Sequence, residues 1–218
     1  MKFLTSKITR GNLDPLIEKY KTDERVLDLG SAKSPYSKWF PNRKSVDIDP
    51  ESGADIIADA HHIPLPDNSE SFILCTEMLE HMYDPKQAVA EMQRILKPGG
   101  KIILTTRFMY GIHEAPHDYF RYTKYGLKHL FSGFDILELK EETKNFETLG
   151  ALSQRLVFQS KFSNLYILDK VIKFIFLVFA KILTMLNFII KEQYGDIRKS
   201  VVEETIFATG YFLAATKK

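Results

Sequence analysis

The sequence predicts an α/β fold, a mostly parallel sheet with helices on both faces. Three observations carry this. Short apolar runs alternate with amphipathic stretches at helical spacing, as when strands are covered on both faces. The first run ends on a glycine, in "VLDLGSAKSPYS", residues 26–37, and reads as a buried strand entering a tight turn. The second, "KSVDIDP", ends on acidic residues and is stopped by Pro50. Ligands of such sheets bind at the carboxyl ends of the strands, where strand order reverses, so the loops after the first four strands are expected to hold the chemistry.

Taken in order, residues 1–24 read as a leading helix with "NLDPLIEKY" at its core. "RVLDLG" is the first strand, and "SPYSKWF" suits a helix beginning near Pro35. "KSVDIDP", "ADIIADA" and "SESFILCTEML" are the second, third and fourth strands. In "DPKQAVAEMQRIL", Ala88, Met92 and Ile95 share one helical face, and Asp84 is placed to cap the helix. "KPGG" closes that helix and turns the chain. "KIILTT" is a fifth strand, "TKYGLKHLF" a helix, "FDILELKEE" a sixth strand and "TIFATGYFLAAT" the last. The core thus spans 25–145, an apolar helical insertion fills 146–200, and 201–218 returns as a final strand.

The chain has 218 residues, 44% hydrophobic and 27% charged, enough for one α/β domain with elaboration. A net charge of +2 argues against nucleic acid as a partner. Cys75 is the single cysteine, so no intrachain disulfide forms; within an apolar run it reads as a buried, inert thiol. The first twenty residues lack the apolar stretch of a signal peptide, which points to the cytoplasm.

Residues 164–190 are very apolar, yet Lys170, Lys173, Lys181 and Lys191 interrupt them on one narrow face at 100° per residue. A helix spanning a bilayer would place Lys173 and Lys181 in hydrocarbon, at roughly 2.5–3.5 kcal/mol each near the centre. A helix lying in the interface, on the inner membrane face, suits the pattern better. A helix packed on the domain, or on a second copy in a homodimer through 165–190, is the competing reading.

Asp47 follows Gly30 by 17 positions and ends the second strand, where an acid accepts hydrogen bonds from ribose hydroxyls. A dinucleotide would also need the later glycines that let backbone approach a pyrophosphate. Here Ala32 and Ser34 stand in those places. The ligand expected is a nucleoside without phosphates, and S-adenosyl-L-methionine (SAM) meets that description.

"VLDLGSA", "VDIDP", "ADAHHIPLPDNSESFILCTEMLEH" and "EMQRILKPGGKIILTT" resemble, in order and spacing, the motifs of class I SAM-dependent methyltransferases of the methyltransferase-11-like group. The resemblance covers residues 25 to about 140 and the last strand. It implies a Rossmann-like, seven-stranded sheet whose last strand is antiparallel. It further implies that Asp28 and Gly30 face the methionine end of SAM, with Ser31 and Ala32 in the same loop. Asp47 would hold the ribose beside Ile48, with Asp49 as a substitute. Asp59 and Ala60 would lie at the adenine, and Thr76 and Glu77 near the methyl group, Glu77 as a catalytic candidate. The loop departs from the family pattern, reading G-S-A-K-S. Glu80 and His81 read as bracing the turn that carries "MLEH".

"HEAPH", residues 113–117, matches the zinc-protease spacing H-E-x-x-H, which works only on a helix. Pro116 between the histidines opposes one, so no metal is expected. The surrounding "RFMYGIHEAPHDYFRYTKYGL" reads instead as a substrate loop, and "PHDYFRYT" looks like a segment of a subset of these methyltransferases, several of which act in glycan or envelope biosynthesis. His117 is the candidate base with Asp118 orienting it, and His113, Tyr119 and Arg121 are candidates for holding the acceptor. The expected activity is methyl transfer by in-line displacement to a small-molecule, glycan or lipid-linked acceptor. Two other readings compete: a non-catalytic SAM-fold protein whose insertion binds a membrane or partner, and an NAD-dependent oxidoreductase, which the missing phosphate glycines oppose.

Overall fold

Val26–Leu29 (β1) is buried at all four positions, which is why it carries no polar alternation. It pairs in parallel with Arg43–Asp47 (β2) on one side, Leu29 opposite Val46. On the other side it pairs in parallel with Glu70–Thr76 (β4), Leu29 opposite Cys75. Ile56–Ile57 (β3) flanks β2, and Leu96–Arg107 (β5) flanks β4. Phe134–Glu141 (β6) and Gly210–Lys217 (β9) complete a seven-stranded sheet of order β3-β2-β1-β4-β5-β9-β6. The strand that closes the sequence is inserted between β5 and β6. Its start lies at the end of β6, where Glu142 N–H donates to the Gly210 carbonyl. Its end lies at the start of β5, where Lys217 Nζ reaches the Leu96 carbonyl at 2.7 Å. It therefore runs antiparallel, as expected. The structure, a computed structural model, describes residues 2–30 and 34–218; Ser31 and Ala32 of the expected cofactor loop lie outside them.

The helix Pro85–Ile95 (α3) follows the sequence reading closely. Asp84 caps it by accepting from Gln87 N–H at 3.0 Å, and Ala88, Met92 and Ile95 are buried. Three elements differ from expectation. "SPYSKWF" forms a turn over 35–39, because Pro41 follows within two residues and disfavours continuing a helix through Phe40. The third strand shrinks to Ile56–Ile57, because Asp55 turns its carboxylate onto Ser45 N–H and Oγ at 2.7 and 2.8 Å. "KPGG" belongs to β5, where Gly99 at φ +73° lets the chain bulge: Glu70 and Phe72, two apart on β4, face Leu96 and Lys101, five apart on β5.

The chain divides into two compact units. One comprises residues 15–108, 112–140 and 211–218 and contains nearly all of the sheet. The other comprises 1–14, 109–111 and 141–210. In this second unit the expected single leading helix is two, Lys2–Thr5 (α1) and Ile8–Glu18 (α2), the latter running on into the sheet unit. The Gln154 amide explains the break: its Nε2 donates to the Leu4 and Ser6 carbonyls, and its Oε1 accepts from Ile8 N–H. These bonds replace those a continuous helix would make. Gln154 sits on Asn145–Gln159 (α5), which packs against Tyr166–Thr184 (α6). At Gly150 the two backbones come so close that a Cβ would stand 2.5 Å from the Ala180 carbonyl oxygen.

Helix α6 has three faces. Ala180 and Leu183 are buried. Opposite them Ile167, Val171, Phe174, Ile175 and Ile182 form an exposed apolar stripe. Lys170, Lys173 and Lys181 occupy the flank between these two faces rather than standing opposite the apolar one. By length and composition Tyr166–Ile189 is able to cross a membrane. A small hairpin, Gln193–Tyr194 (β7) with Val202–Glu203 (β8), was not anticipated from the sequence.

Candidate functional site at the carboxyl ends of the strands

The sheet reverses order between β1 and β4, and the residues singled out as cofactor ligands gather at these strand ends. Asp28 on β1 is wholly buried. Its Oδ2 accepts from Arg43 Nη1 at 3.1 Å, whereas its Oδ1 takes no hydrogen bond from the described residues. Burial pushes the Asp28 carboxyl up to about 6, against the opposing pull of the Ser34 hydroxyl and Arg43. Gly30 turns the chain at φ +74°, its N–H donating to the Val46 carbonyl at 2.8 Å. Met78 fills the space a side chain there would need.

Asp47, half-buried at the end of β2, accepts the Asp49 N–H on Oδ1 at 3.0 Å. Its Oδ2 takes no hydrogen bond from the described residues. Asp49 spends its own carboxylate on Glu51 N–H at 2.9 Å, so it caps a turn rather than substituting for Asp47. Ile48 is exposed, an apolar side chain beside the acid. Asp59 accepts the backbone N–H and ring Nδ1 of His61, at 2.9 and 2.5 Å. Burial works against its ionisation, but these bonds outweigh it and hold the carboxyl below the usual range. Ala60 is buried beside it.

At the end of β4, Thr76 is buried, and Glu77 adopts φ +55°. Glu77 Oε1 accepts from Thr105 Oγ1 at 3.0 Å, and its other oxygen is paired with Arg107. This carboxylate ties the end of β4 to β5.

The 3₁₀ turn Leu79–His81 follows, and residues 112–122 are fastened to it. Tyr119 and Phe120 N–H both reach the Glu80 carbonyl, and Tyr122 Oη donates to the Leu79 carbonyl at 3.1 Å. No helix forms over His113–His117, so the H-E-x-x-H spacing has no helical face to use. Asp118 does not orient His117. Its two oxygens accept a bidentate pair from Arg121, at 2.6 and 2.7 Å, and Oδ2 also accepts the His113 N–H. The Arg121 guanidinium, the largest influence, holds the Asp118 carboxyl well below the carboxylate range. His117 is exposed and its Nδ1 lies 2.9 Å from Tyr119 Oη, which is its orienting partner. Arg121, expected to hold an acceptor, is engaged by Asp118.

Residues 27–104 match the family model described as "Methyltransferase domain". The curated relatives include a demethylmenaquinone methyltransferase of Renibacterium salmoninarum, 39% identical over 100 residues, covering 37% of this chain and 40% of that protein. Another is the ubiquinone/menaquinone biosynthesis C-methyltransferase UbiE of Cupriavidus pinatubonensis, 42% identical over 48 residues, or 22% and 20% of the two chains. The chain spans less than half the length of the curated relatives it matches. Among solved structures, the [4+2]-cyclase SpnF superposes with TM-score 0.59 at 16% identity, over 94% of this chain and 79% of that one. A Haemonchus contortus phosphoethanolamine N-methyltransferase 2 in complex with SAM gives 0.56 at 17%, over 95% and 52%. Residues 27–104 are a methyltransferase domain.

In this methyltransferase domain, sequence reasoning missed Arg43 and Arg107, the cations that neutralise Asp28 and Glu77. Nothing local marks them, because each meets its partner across neighbouring strands. It also missed Met78 over Gly30. "MLEH" reads as a brace, and in the structure Glu80 is wholly buried with its backbone carbonyl anchoring the 112–122 loop.

Proposed function

We propose that the chain is a SAM-dependent methyltransferase acting on a small-molecule acceptor. The observation that carries the reading is that Gly30 and Asp47 stand at the carboxyl ends of adjacent parallel strands, Gly30 just past the Leu29–Val46 pair, with an open carboxylate oxygen on Asp47 for a ribose hydroxyl. The buried Asp28 oxygen without a hydrogen bond fits the same ligand, since SAM brings an ammonium group at its methionine end. When bound, the cofactor supplies a methyl group already activated by a sulfonium. The work left to the protein is mainly proximity and orientation, worth about 7–11 kcal/mol in the best cases. Ile48 would pack on the adenosine, and the Asp59–Ala60 turn would border the adenine. Thr76 and the Glu77–Arg107 pair would fix the strand ends around the methyl group. His117, oriented by Tyr119, would take the acceptor proton where one must leave.

Calorimetric titration with SAM, S-adenosylhomocysteine and NAD tests the cofactor. Micromolar binding of the first two and none of NAD is expected. Asp47→Ala should weaken SAM at least tenfold, and unchanged affinity would remove Asp47 from the site.

The exposed stripe of α6 favours a lipid-linked acceptor and contact with an anionic membrane surface, on the inner face of the membrane. Exposed Lys161, Lys170 and Lys191 accompany that stripe and supply the attraction to negative headgroups. Flotation with phosphatidylglycerol vesicles at low salt and release at high salt is expected. A concentration-dependent dimer without vesicle binding would assign the stripe to a second copy instead.

A further inference from the structure

Three side chains that the proposed reaction leaves unused converge beside the domain's site. Glu80 and His81 lie on the 3₁₀ turn after β4, and His113 lies on the loop fastened to that turn. One ligand-type atom from each stands within 4.8 Å of the other two. Glu80 is wholly buried. Its Oε2 accepts from Thr106 Oγ1 at 2.7 Å, whereas its buried Oε1 accepts no hydrogen bond from the described residues. That oxygen faces His113 Nε2 at 3.7 Å. A buried carboxylate oxygen left in this condition is costly unless a cation completes it.

The two imidazoles are arranged as ligands are. His81 Nδ1 lies 2.6 Å from the His117 carbonyl, which only accepts, so Nδ1 carries the proton and Nε2 keeps its lone pair. His113 Nδ1 lies 3.5 Å from Asp118 Oδ2, and the Arg121 bidentate pair fixes that carboxylate in place. Ligating histidines characteristically direct one ring nitrogen at a carbonyl or carboxylate while the other binds metal. The rings meet edge to face with centroids 4.7 Å apart. Modest side-chain rotation brings such a cluster to the roughly 3.3 Å spacing of ligands around an ion bound at about 2.0–2.1 Å.

We propose that Glu80, His81 and His113 form a binding site for a first-row divalent transition ion such as zinc. Two imidazoles and one carboxylate are the donor set of an open zinc site, with a further position for water or an acceptor oxygen. The site uses His113 without the H-E-x-x-H helix: its second histidine comes from the β4 turn, and His117 contributes a backbone carbonyl rather than its ring. Binding of the ion does not depend on the methyltransferase reading. Only a role in acidifying an acceptor hydroxyl does.

The test is metal binding by tag-free protein stripped with chelator, titrated with Zn²⁺ and with Co²⁺ as an absorbing probe. One equivalent per chain at micromolar or tighter affinity is expected, with the visible bands of nitrogen- and oxygen-bound Co²⁺. His81→Ala and Glu80→Gln should weaken it at least tenfold, and His117→Ala should leave it intact. Thermal melts separate lost binding from lost fold. If Glu80→Gln does not fold, His81→Ala, on a part-exposed residue, decides alone. Absence of stoichiometric binding, or equal affinity in wild type and His81→Ala, overturns the proposal. Because SAM titration is a separate measurement, failure here and failure of the cofactor reading are distinguishable.

Discussion

A Cβ on Gly30 would stand 2.4 Å from the sulfur of Met78, so the turn that opens the cofactor loop is closed from beneath by a side chain of the next strand's exit. Gly30 is required twice over, by φ +74° and by Met78. Gly30→Ala should cost about 1–3 kcal/mol from backbone strain alone, and more from the collision. Because the collision is with a flexible side chain, adding Met78→Ala should return part of that loss. Denaturant melts of both variants check it; no recovery in the double variant would mean that backbone strain is the whole effect.

Gly150 makes the opposite case. In a helix interior, Gly→Ala ordinarily stabilises by about 0.5–1 kcal/mol. Here the new methyl would lie 2.5 Å from the Ala180 carbonyl oxygen, which is backbone and has no rotamer to give. Gly150→Ala should therefore destabilise, and its thermal midpoint should fall rather than rise.

Asp28 should leave a signature in stability against pH. Its folded pKa of about 6 exceeds the ordinary value of 3.8, so the folded state holds the proton more tightly. Its contribution is then greatest below pH 4 and is lost as pH rises through 6. Asp28→Asn removes this slope. The stability difference between wild type and variant should shift by about 2 kcal/mol between pH 4 and pH 6, in favour of the variant at the higher pH. A difference independent of pH in that window would contradict the buried, proton-holding carboxyl.

Cys75 is wholly buried on β4, and burial pushes its thiol far up. A disulfide reagent should leave it unmodified in the folded protein and react with one equivalent after denaturation. Rapid labelling of native protein would show that the β4 end opens.

The strands are legible because burial on both faces leaves apolar runs, continuous in Ile102–Leu104 and broken only by Asp28 in Val26–Leu29. The helix at Pro85 was legible because its cap and its apolar spacing agree. The turn at 35–39 was misread because Pro35 signals a helix start while Pro41 forbids its continuation. In the candidate site, Gly30 and Asp47 stood out because turn and strand end both mark them locally. For Asp118, nearness in sequence favours His117 as partner, whereas the loop turns its carboxylate toward Arg121 and His113. The Glu80–His81–His113 cluster joins residues more than thirty positions apart, and no local pattern announces that.

Gln154 holds the Ile8 amide across 146 positions and the Leu4 carbonyl across 150. On the ribosome this distance becomes a delay. At about 5–20 residues per second, the first two helices wait roughly seven to thirty seconds before the side chain that joins them has been made.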